Sequence, residues 1–161
     1  MKRLIVMLLA VVFFVSCSGP AGQDETTDLE IKGIKNISMQ AFSGQYVCCD
    51  LGMNGQLIAN RDSAGLWETF RLHEMATGEI AFQAVNNKFV TYDPDNDLLI
   101  ANSDSIIDRA VFLMIPIKDD QYCFKAYNGK YVCGDLSIER KLVANRNEAK
   151  DWETFIVKEI K

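Results

Sequence analysis

The chain has 161 residues, 48% of them apolar and 24% charged, a composition that suits one globular domain with a core to fill and argues against a chain disordered as a whole. Its 17 basic residues face 22 acidic ones, and this balance argues against nucleic acid as a partner, because affinity for phosphate polymers needs basic side chains to displace counterions. One histidine and five cysteines without a CxxC spacing argue against a zinc site.

At the start of the chain Lys2 and Arg3 precede an unbroken apolar run of twelve, Leu4 to Val15. That is the layout of a secretory signal, and it is too short for a spanning helix. The run ends in Phe14, Val15, Ser16 and Cys17, which resembles the lipobox of bacterial lipoproteins. The resemblance implies a signal peptide over 1–16, cleavage before Cys17 and a lipid on Cys17. Ser18, where an acidic residue is absent, fits the sorting pattern for the outer membrane. Cleavage removes Lys2 and Arg3 and leaves 15 basic residues against 22 acidic ones. The following stretch, SGPAGQDETTDLE, has little to bury, so 17–32 reads as a lipidated N-terminus and flexible tether.

From residue 33 the chain repeats. MQAFSGQYV (39–47), FQAVNNKFV (82–90) and FKAYNGKYV (124–132) each alternate apolar and polar residues around a small turn-forming pair, the pattern of a β-hairpin with a tight two-residue turn. Ala41, Ala84 and Ala126 lie 43 and 42 residues apart. Asn60, Asn102 and Asn145 close the segments LIAN, LIAN and LVAN at spacings of 42 and 43, and Phe70, Phe112 and Phe155 keep the same period. The first copy reads as four strands, 37–42, 45–50, 56–60 and 67–73, and the three copies run over about 37–79, 80–120 and 121–161. A propeller needs about four to eight such blades to close. Three four-stranded units instead predict an all-β fold, a β-trefoil with a pseudo-threefold axis, whose closure removes free strand edges.

The motifs YVCCD, ANR and WETF over 46–70, and YVCGD, ANR and WETF over 131–155, resemble the fascin-type, or actin cross-linking-like, β-trefoil family. The resemblance covers 33–161. It implies the trefoil fold, but trefoils host many unrelated sites.

Copy two departs from the others. Arg61 and Arg146 correspond to Ser103, and Glu68 and Glu153 correspond to Ala110. Two charges that vanish together predict two ion pairs, Arg61 with Glu68 and Arg146 with Glu153, bracing the loop before the last strand of a copy. The alternative is a ligand site kept in copies one and three, with Trp67 and Trp152 at its edge and Arg109 in the Trp position of copy two; in the family pattern this aromatic belongs to the core. Asp50, Asp93 and Asp135 follow their strands by three residues. They read as turn organisers, or, by analogy with lectin-like trefoils, as acceptors for sugar hydroxyls. Asp93, Asp95 and Asp97 begin like a calcium loop, but Leu98 replaces the glycine and no glutamate closes it, so no metal is expected. Asp62-Ser63-Ala64 and Asp104-Ser105-Ile106 occupy equivalent loops and resemble O-glycosylation acceptors of some Gram-negative bacteria.

With turns at Ser43-Gly44 and Asn128-Gly129, Met39 opposes Cys48 and Phe124 opposes Cys133. This puts both thiols on the core face of Ala41 and Ala126, with Cys49 and Cys123 pointing away. Buried free thiols are the reading here, though four cysteines also allow three disulfide pairings. His73 has no counterpart in the other copies and reads as a solvated surface side chain, so no Ser–His or Cys–His nucleophile is expected.

These readings converge on a non-catalytic binding or adhesion module without cofactor, lipid-anchored at a bacterial envelope and facing periplasm or surface. A glycan is the expected partner, on shallow sites holding Asp50, Asp93, Asp135, Trp67 and Trp152. The alternative is an envelope protein, the chain serving as an assembly subunit. Actin bundling is disfavoured, since it needs at least two filament sites, and an enzyme would need a convergent titratable cleft.

Overall fold

The computed structural model describes residues 29–161; the signal 1–16, Cys17 and most of the expected tether lie outside them. Twelve strands follow in order: β1 Ile31–Gln40, β2 Tyr46–Asp50, β3 Gln56–Arg61, β4 Thr69–Met75, β5 Ile80–Gln83, β6 Phe89–Tyr92, β7 Leu99–Ser103, β8 Leu113–Lys118, β9 Gln121–Lys125, β10 Tyr131–Asp135, β11 Lys141–Arg146 and β12 Thr154–Glu159. All named pairings are antiparallel.

Strands β1, β4, β5, β8, β9 and β12 close a ring. Most contacts in it are strand ladders, and β5 meets β8 where Ile80 and Phe112 exchange two backbone hydrogen bonds of 2.9 Å. The hairpins β2–β3, β6–β7 and β10–β11 stand on this ring. Ten strands, all but β2 and β8, form one closed hydrogen-bonded path, so little of the sheet edge is left exposed.

The hairpins interlock through one contact made three times. Ala59 N–H donates to Arg140 O (2.9 Å), Ala101 N–H to Gly55 O (2.8 Å) and Ala144 N–H to Asp97 O (2.8 Å), so each hairpin holds the next in a cycle. The acceptors Gly55, Asp97 and Arg140 all have φ between 61° and 81°.

The core is filled from equivalent positions. Phe70, Phe112 and Phe155 are buried together with Leu57, Leu99 and Leu142 and with Val47, Val90 and Val132. Phe82 meets Phe124 edge-on at 5.2 Å, and Phe124 lies 5.6 Å from Phe155. Each such side chain contributes roughly 1.5–3 kcal/mol by leaving water.

Two sequence expectations change here. β1 starts at Ile31, two residues inside the expected tether and six before the expected strand, because its first half pairs with β4 from Met75 to Phe70; a bulge between Ile31 and Gly33 breaks the alternation that would have revealed it. The hairpin turns are three-residue loops, not two-residue ones. Ala41 N–H donates to Gln45 O and Gly44 N–H to Ala41 O, each at 2.9 Å, with Gly44 left-handed. The pairing is therefore Gln40 with Tyr46 and Lys125 with Tyr131, and a one-residue shift reverses faces. Cys49, not Cys48, joins the core cluster, and Gly134, not Cys133, points toward Ala41 and Ala59.

All four thiols are nonetheless buried and free. Cys48 and Cys133 lie under the short 3-10 turns that follow the third strand of each copy. Cys48 Sγ donates to Asn60 Oδ1 at 3.4 Å. Burial raises every one of these thiols, to about 11 for Cys49 and Cys133. His73 is also buried, at 6% exposure, contrary to the surface reading. Phe89 covers it edge-on at 5.1 Å, and Nε2 faces Gln83 Oε1 at 3.2 Å, so the ring sits in the outer wall between strands rather than in solvent.

Candidate functional site

Where the third strand of each copy ends, the chain bends outward for four residues and re-enters through a one-turn 3-10 helix, Leu66–Glu68, Asp108–Ala110 or Asp151–Glu153. In copies one and three a glutamate closes this turn from inside. Glu68 Oε2 accepts from Gly65 N–H at 2.8 Å and Glu153 Oε2 from Lys150 N–H at 2.9 Å, both side chains being buried. The other carboxylate oxygens face the arginines: Arg61 Nε lies 3.6 Å from Glu68 Oε1 and Arg146 Nε 3.7 Å from Glu153 Oε1. The contacts to backbone amides are the shorter ones, so the glutamates fix the turn first and the guanidinium second.

Because the glutamate turns inward, its neighbour turns outward. Trp67 is 44% exposed and Trp152 42% exposed, so the tryptophan is a surface group and the phenylalanine three residues later is the core residue. The core placement taken from the family pattern fails for this reason. Trp152 is met edge-on at 5.1 Å by Phe42, which projects from the turn of the first hairpin. The equivalent turn residues Val85 and Tyr127 are also exposed.

The aspartates act on their own backbone. Asp50 Oδ1 accepts from Gly52 and Met53 N–H at 2.9 and 3.3 Å, Asp93 Oδ1 from Asp95 N–H at 3.1 Å, and Asp135 Oδ1 from Ser137 N–H at 2.8 Å and Ser137 Oγ at 2.6 Å. Asp97, in the same acidic turn as Asp93, accepts from the Tyr92 hydroxyl at 2.8 Å. Asp135 differs from its counterparts because Arg146 Nη2 also donates to its Oδ2 at 3.0 Å. The Ser137 hydroxyl and Arg146 together hold the Asp135 carboxyl below its ordinary range.

Copy three thus gathers the most complete set. Trp152 and Arg146 form the wall between two shallow clefts. One, of about 290 Å³, is lined by Cys133, Gly134, Asp135, Leu136 and Ser137; the other, of about 490 Å³, by Asn147, Glu148, Lys150 and Glu153. Copy two offers a different cleft of about 450 Å³, between Ile107, Asp108, Arg109 and Tyr127. The sequence reading found Asp135, Arg146 and Trp152 but missed Phe42, Tyr127 and Ser137. The available signal was the residue after the hairpin alanine: a large apolar side chain at a turn tip cannot be covered by its own hairpin. No three His, Cys, Asp or Glu side chains among the described residues are grouped to hold a metal ion.

Copy three thus presents a half-exposed indole beside a guanidinium and a hydrogen-bonded carboxylate, on a shallow surface of a closed all-β scaffold. Solved structures with this fold include ThreeFoil, a designed threefold-symmetric protein, at 16% identity and a TM-score of 0.67 over 76% of this chain and 96% of that one. SeviL bound to asialo-GM1 saccharide matches at 16% identity and 0.64 over 78% and 98%. An endo-β-galactosidase from Clostridium perfringens that releases GlcNAcα1-4Gal matches at 9% identity and 0.66, over 79% of this chain and 33% of that one. ThreeFoil and SeviL are of β-trefoil type, and at these identities the likeness is one of fold. No curated protein matches the sequence. The chain belongs to the family described as "Domain of unknown function (DUF7910)", which matches residues 31–133.

Proposed function

We propose that this chain is a non-catalytic carbohydrate-binding module. Its scaffold is a fascin-like β-trefoil of three four-stranded repeats about a pseudo-threefold axis, anchored by a lipid on Cys17 at a bacterial outer membrane. The threefold period in the sequence and the cyclic Ala contacts support the trefoil reading. The lipobox-like end of the apolar run supports the anchor.

The observation that carries the binding reading is the half-exposed Trp152 standing beside Arg146 and Asp135. A pyranose ring has apolar C–H faces and an equator of hydroxyls. The indole face takes the first, and the free N–H groups of Arg146 and the Ser137 hydroxyl take the second. Asp135 stays ionised and holds both donors in place. Trp67, Arg61 and Asp50 hold the equivalent positions in copy one without the Arg–Asp contact, and Arg109 of copy two lines a cleft with Tyr127 of the copy-three hairpin, so further weaker sites would give a polymeric glycan avidity. A lectin-type neighbour with bound saccharide is consistent with this use of the fold.

The second reading, an envelope protein as partner, draws on Leu51, Met53, Leu66 and Trp67, exposed at 43%, 40%, 78% and 44% in copy one. A glycan-array screen of the wild-type protein beside folded Trp152→Ala and Trp67→Ala variants separates the two. Glycan binding that either variant loses supports the carbohydrate reading. Silence on the array, together with one protein captured by the wild type and lost in Leu66→Ser, overturns it in favour of the second.

A further inference from the structure

The outward bends that carry the arginines and tryptophans hold one feature that glycan binding does not use. In all three copies the bend has the same pattern, two bent residues, then two without regular structure of which the second, Gly65, Ile107 or Lys150, is extended before the 3-10 turn. The hairpin of each copy braces its own bend: Gln45 Nε2 donates to Asp62 Oδ1 at 3.4 Å, Lys88 Nζ to Asp104 Oδ1, and Lys130 Nζ to Asn147 Oδ1. The brace fixes the first residue of the bend and leaves the second at its tip. In copies one and two that second residue is a serine, Ser63 and Ser105, exposed, each preceded by the braced aspartate and followed by an apolar residue, Ala64 or Ile106. Among the described residues neither hydroxyl makes a hydrogen bond. In copy three the same positions are Asn147, Glu148 and Ala149, without a hydroxyl.

We infer that Ser63 and Ser105 are O-glycosylation sites, and that copy three is the built-in unmodified counterpart. Three requirements of a glycosyl acceptor are met. The hydroxyl must be reachable by a second protein's active site, which the bend tip provides. It must not be engaged in the fold, or its lone pairs would be unavailable. It must be marked by neighbours that a transferase can read, and the braced Asp62 and Asp104 present a fixed charge one residue before each serine. In the transfer, Ser Oγ attacks the anomeric carbon of a sugar activated as a diphosphate. The Oγ–C1 bond forms, the bond from C1 to the phosphate oxygen breaks, the diphosphate leaves with the electron pair, and the hydroxyl proton passes to a base of the transferase. A glycan at either tip costs little folding energy, since the tips make no core contact. Neither serine lines the copy-three clefts, so a glycan at these tips leaves them open.

The inference rests on the export part of the proposed function, and the test separates the two. The full chain is isolated from the envelope fraction of the organism that encodes it and weighed intact, wild type beside Ser63→Ala, Ser105→Ala, the double variant, and Asp62→Asn with Ser63 retained. The expected result is a processed chain carrying two increments of carbohydrate mass. One is lost in each single serine variant and in Asp62→Asn, and both in the double variant. Alkaline β-elimination should release the increments and leave dehydroalanine at 63 and 105. A processed chain at its bare polypeptide-plus-lipid mass overturns the inference while leaving export intact. An unprocessed chain without added mass overturns both. Increments that persist in the double variant place the modification elsewhere and also overturn it.

Discussion

Arg146 donates from Nη2 to Asp135 Oδ2 at 3.0 Å while its Nε stands 3.7 Å from Glu153 Oε1, so one guanidinium joins the aspartate at the end of β10 to the glutamate of the last 3-10 turn. Arg61, its counterpart, reaches Glu68 alone among the described residues. Both arginines are about half exposed, which limits each contact to the range of surface pairs. Arg146→Ala breaks two contacts and leaves the buried Glu153 with one amide partner, so it should cost about 1–2 kcal/mol, against under about 1 kcal/mol for Arg61→Ala. Urea unfolding at neutral pH measures the difference; equal losses would mean the Asp135 contact contributes nothing. The Asp135 carboxyl is held low in the fold, so its share of stability is present above the ordinary carboxylate value of 3.8 and disappears as pH falls through the lower folded value. The gap between the two variants should close in acid.

Removing Phe42 tests the site's geometry separately from its chemistry. Its ring touches Trp152 edge-on across two copies of the repeat, and such a pair is worth roughly 0.5–1.5 kcal/mol. Both rings are about half exposed, so Phe42→Ala should fall at the low end of that range in stability yet free the indole to rotate. If Trp152 is the stacking platform, any glycan bound by the wild type should bind at least about 10-fold more weakly to Phe42→Ala, the equivalent of about 1.4 kcal/mol. Isothermal titration with the best array ligand reads this; unchanged affinity would mean that Trp152 needs no orienting partner.

His73 is the sole histidine of the chain, which makes its titration easy to isolate. Burial lowers its pKa from the ordinary value of 6.5, outweighing the Gln83 hydrogen bond, and Arg71 lowers it further. As pH falls below 6.5 the unfolded chain binds a proton that the folded chain does not, so stability is full above 6.5 and declines below it until the folded imidazole itself protonates. His73→Phe, set against Phe89, removes this decline. Thermal unfolding between pH 7.5 and the onset of carboxylate titration should give a sloping midpoint for wild type and a flat one for the variant.

The closed all-β fold was legible because a sequence period kept by three independent landmarks calls for about twelve short strands, and these must cover their edges. The errors trace to single residues. A turn that reads as two residues at Ser43-Gly44 is three because Gly44 is the left-handed residue after a type I turn, and that one-residue slip reversed the assigned faces of Cys48 and Cys49. His73 looked solvent-facing because the sequence cannot say that Phe89, sixteen positions on, folds over it. The ion pairs were visible as a double difference in copy two. The exposure of Trp67 and Trp152 was not, because it follows from Glu68 and Glu153 turning inward to cap their own turns.

The thiols offer a check on burial. With Cys49 and Cys133 pushed up to about 11, and Cys48 and Cys123 also raised, the thiolate fraction near neutral pH is small and access is closed. Iodoacetamide at pH 7.5 should leave these four unlabelled in the native protein and label all of them in guanidinium, with peptide mass spectrometry assigning each site. Native labelling at Cys133 would mean that the cleft beside Asp135 opens in solution.

Two glycines separate backbone strain from collision. Gly44 and Gly55 share nearly the same conformation, with φ of 82° and 81°. A Cβ on Gly44 meets nothing within 4 Å, whereas on Gly55 it would lie 2.7 Å from Ala101 O, the carbonyl beside the hydrogen bond through which one hairpin holds the next. Gly44→Ala should therefore cost only the left-handed penalty, about 1 kcal/mol. Gly55→Ala should cost that and the displacement of a buried hydrogen bond, about 2–4 kcal/mol in total. If the cyclic contacts join the three hairpins into one cooperative unit, Gly55→Ala should lower the midpoint of a single transition. A separate low-temperature transition confined to one hairpin would mean that the hairpins unfold independently and that the ring alone carries the cooperativity.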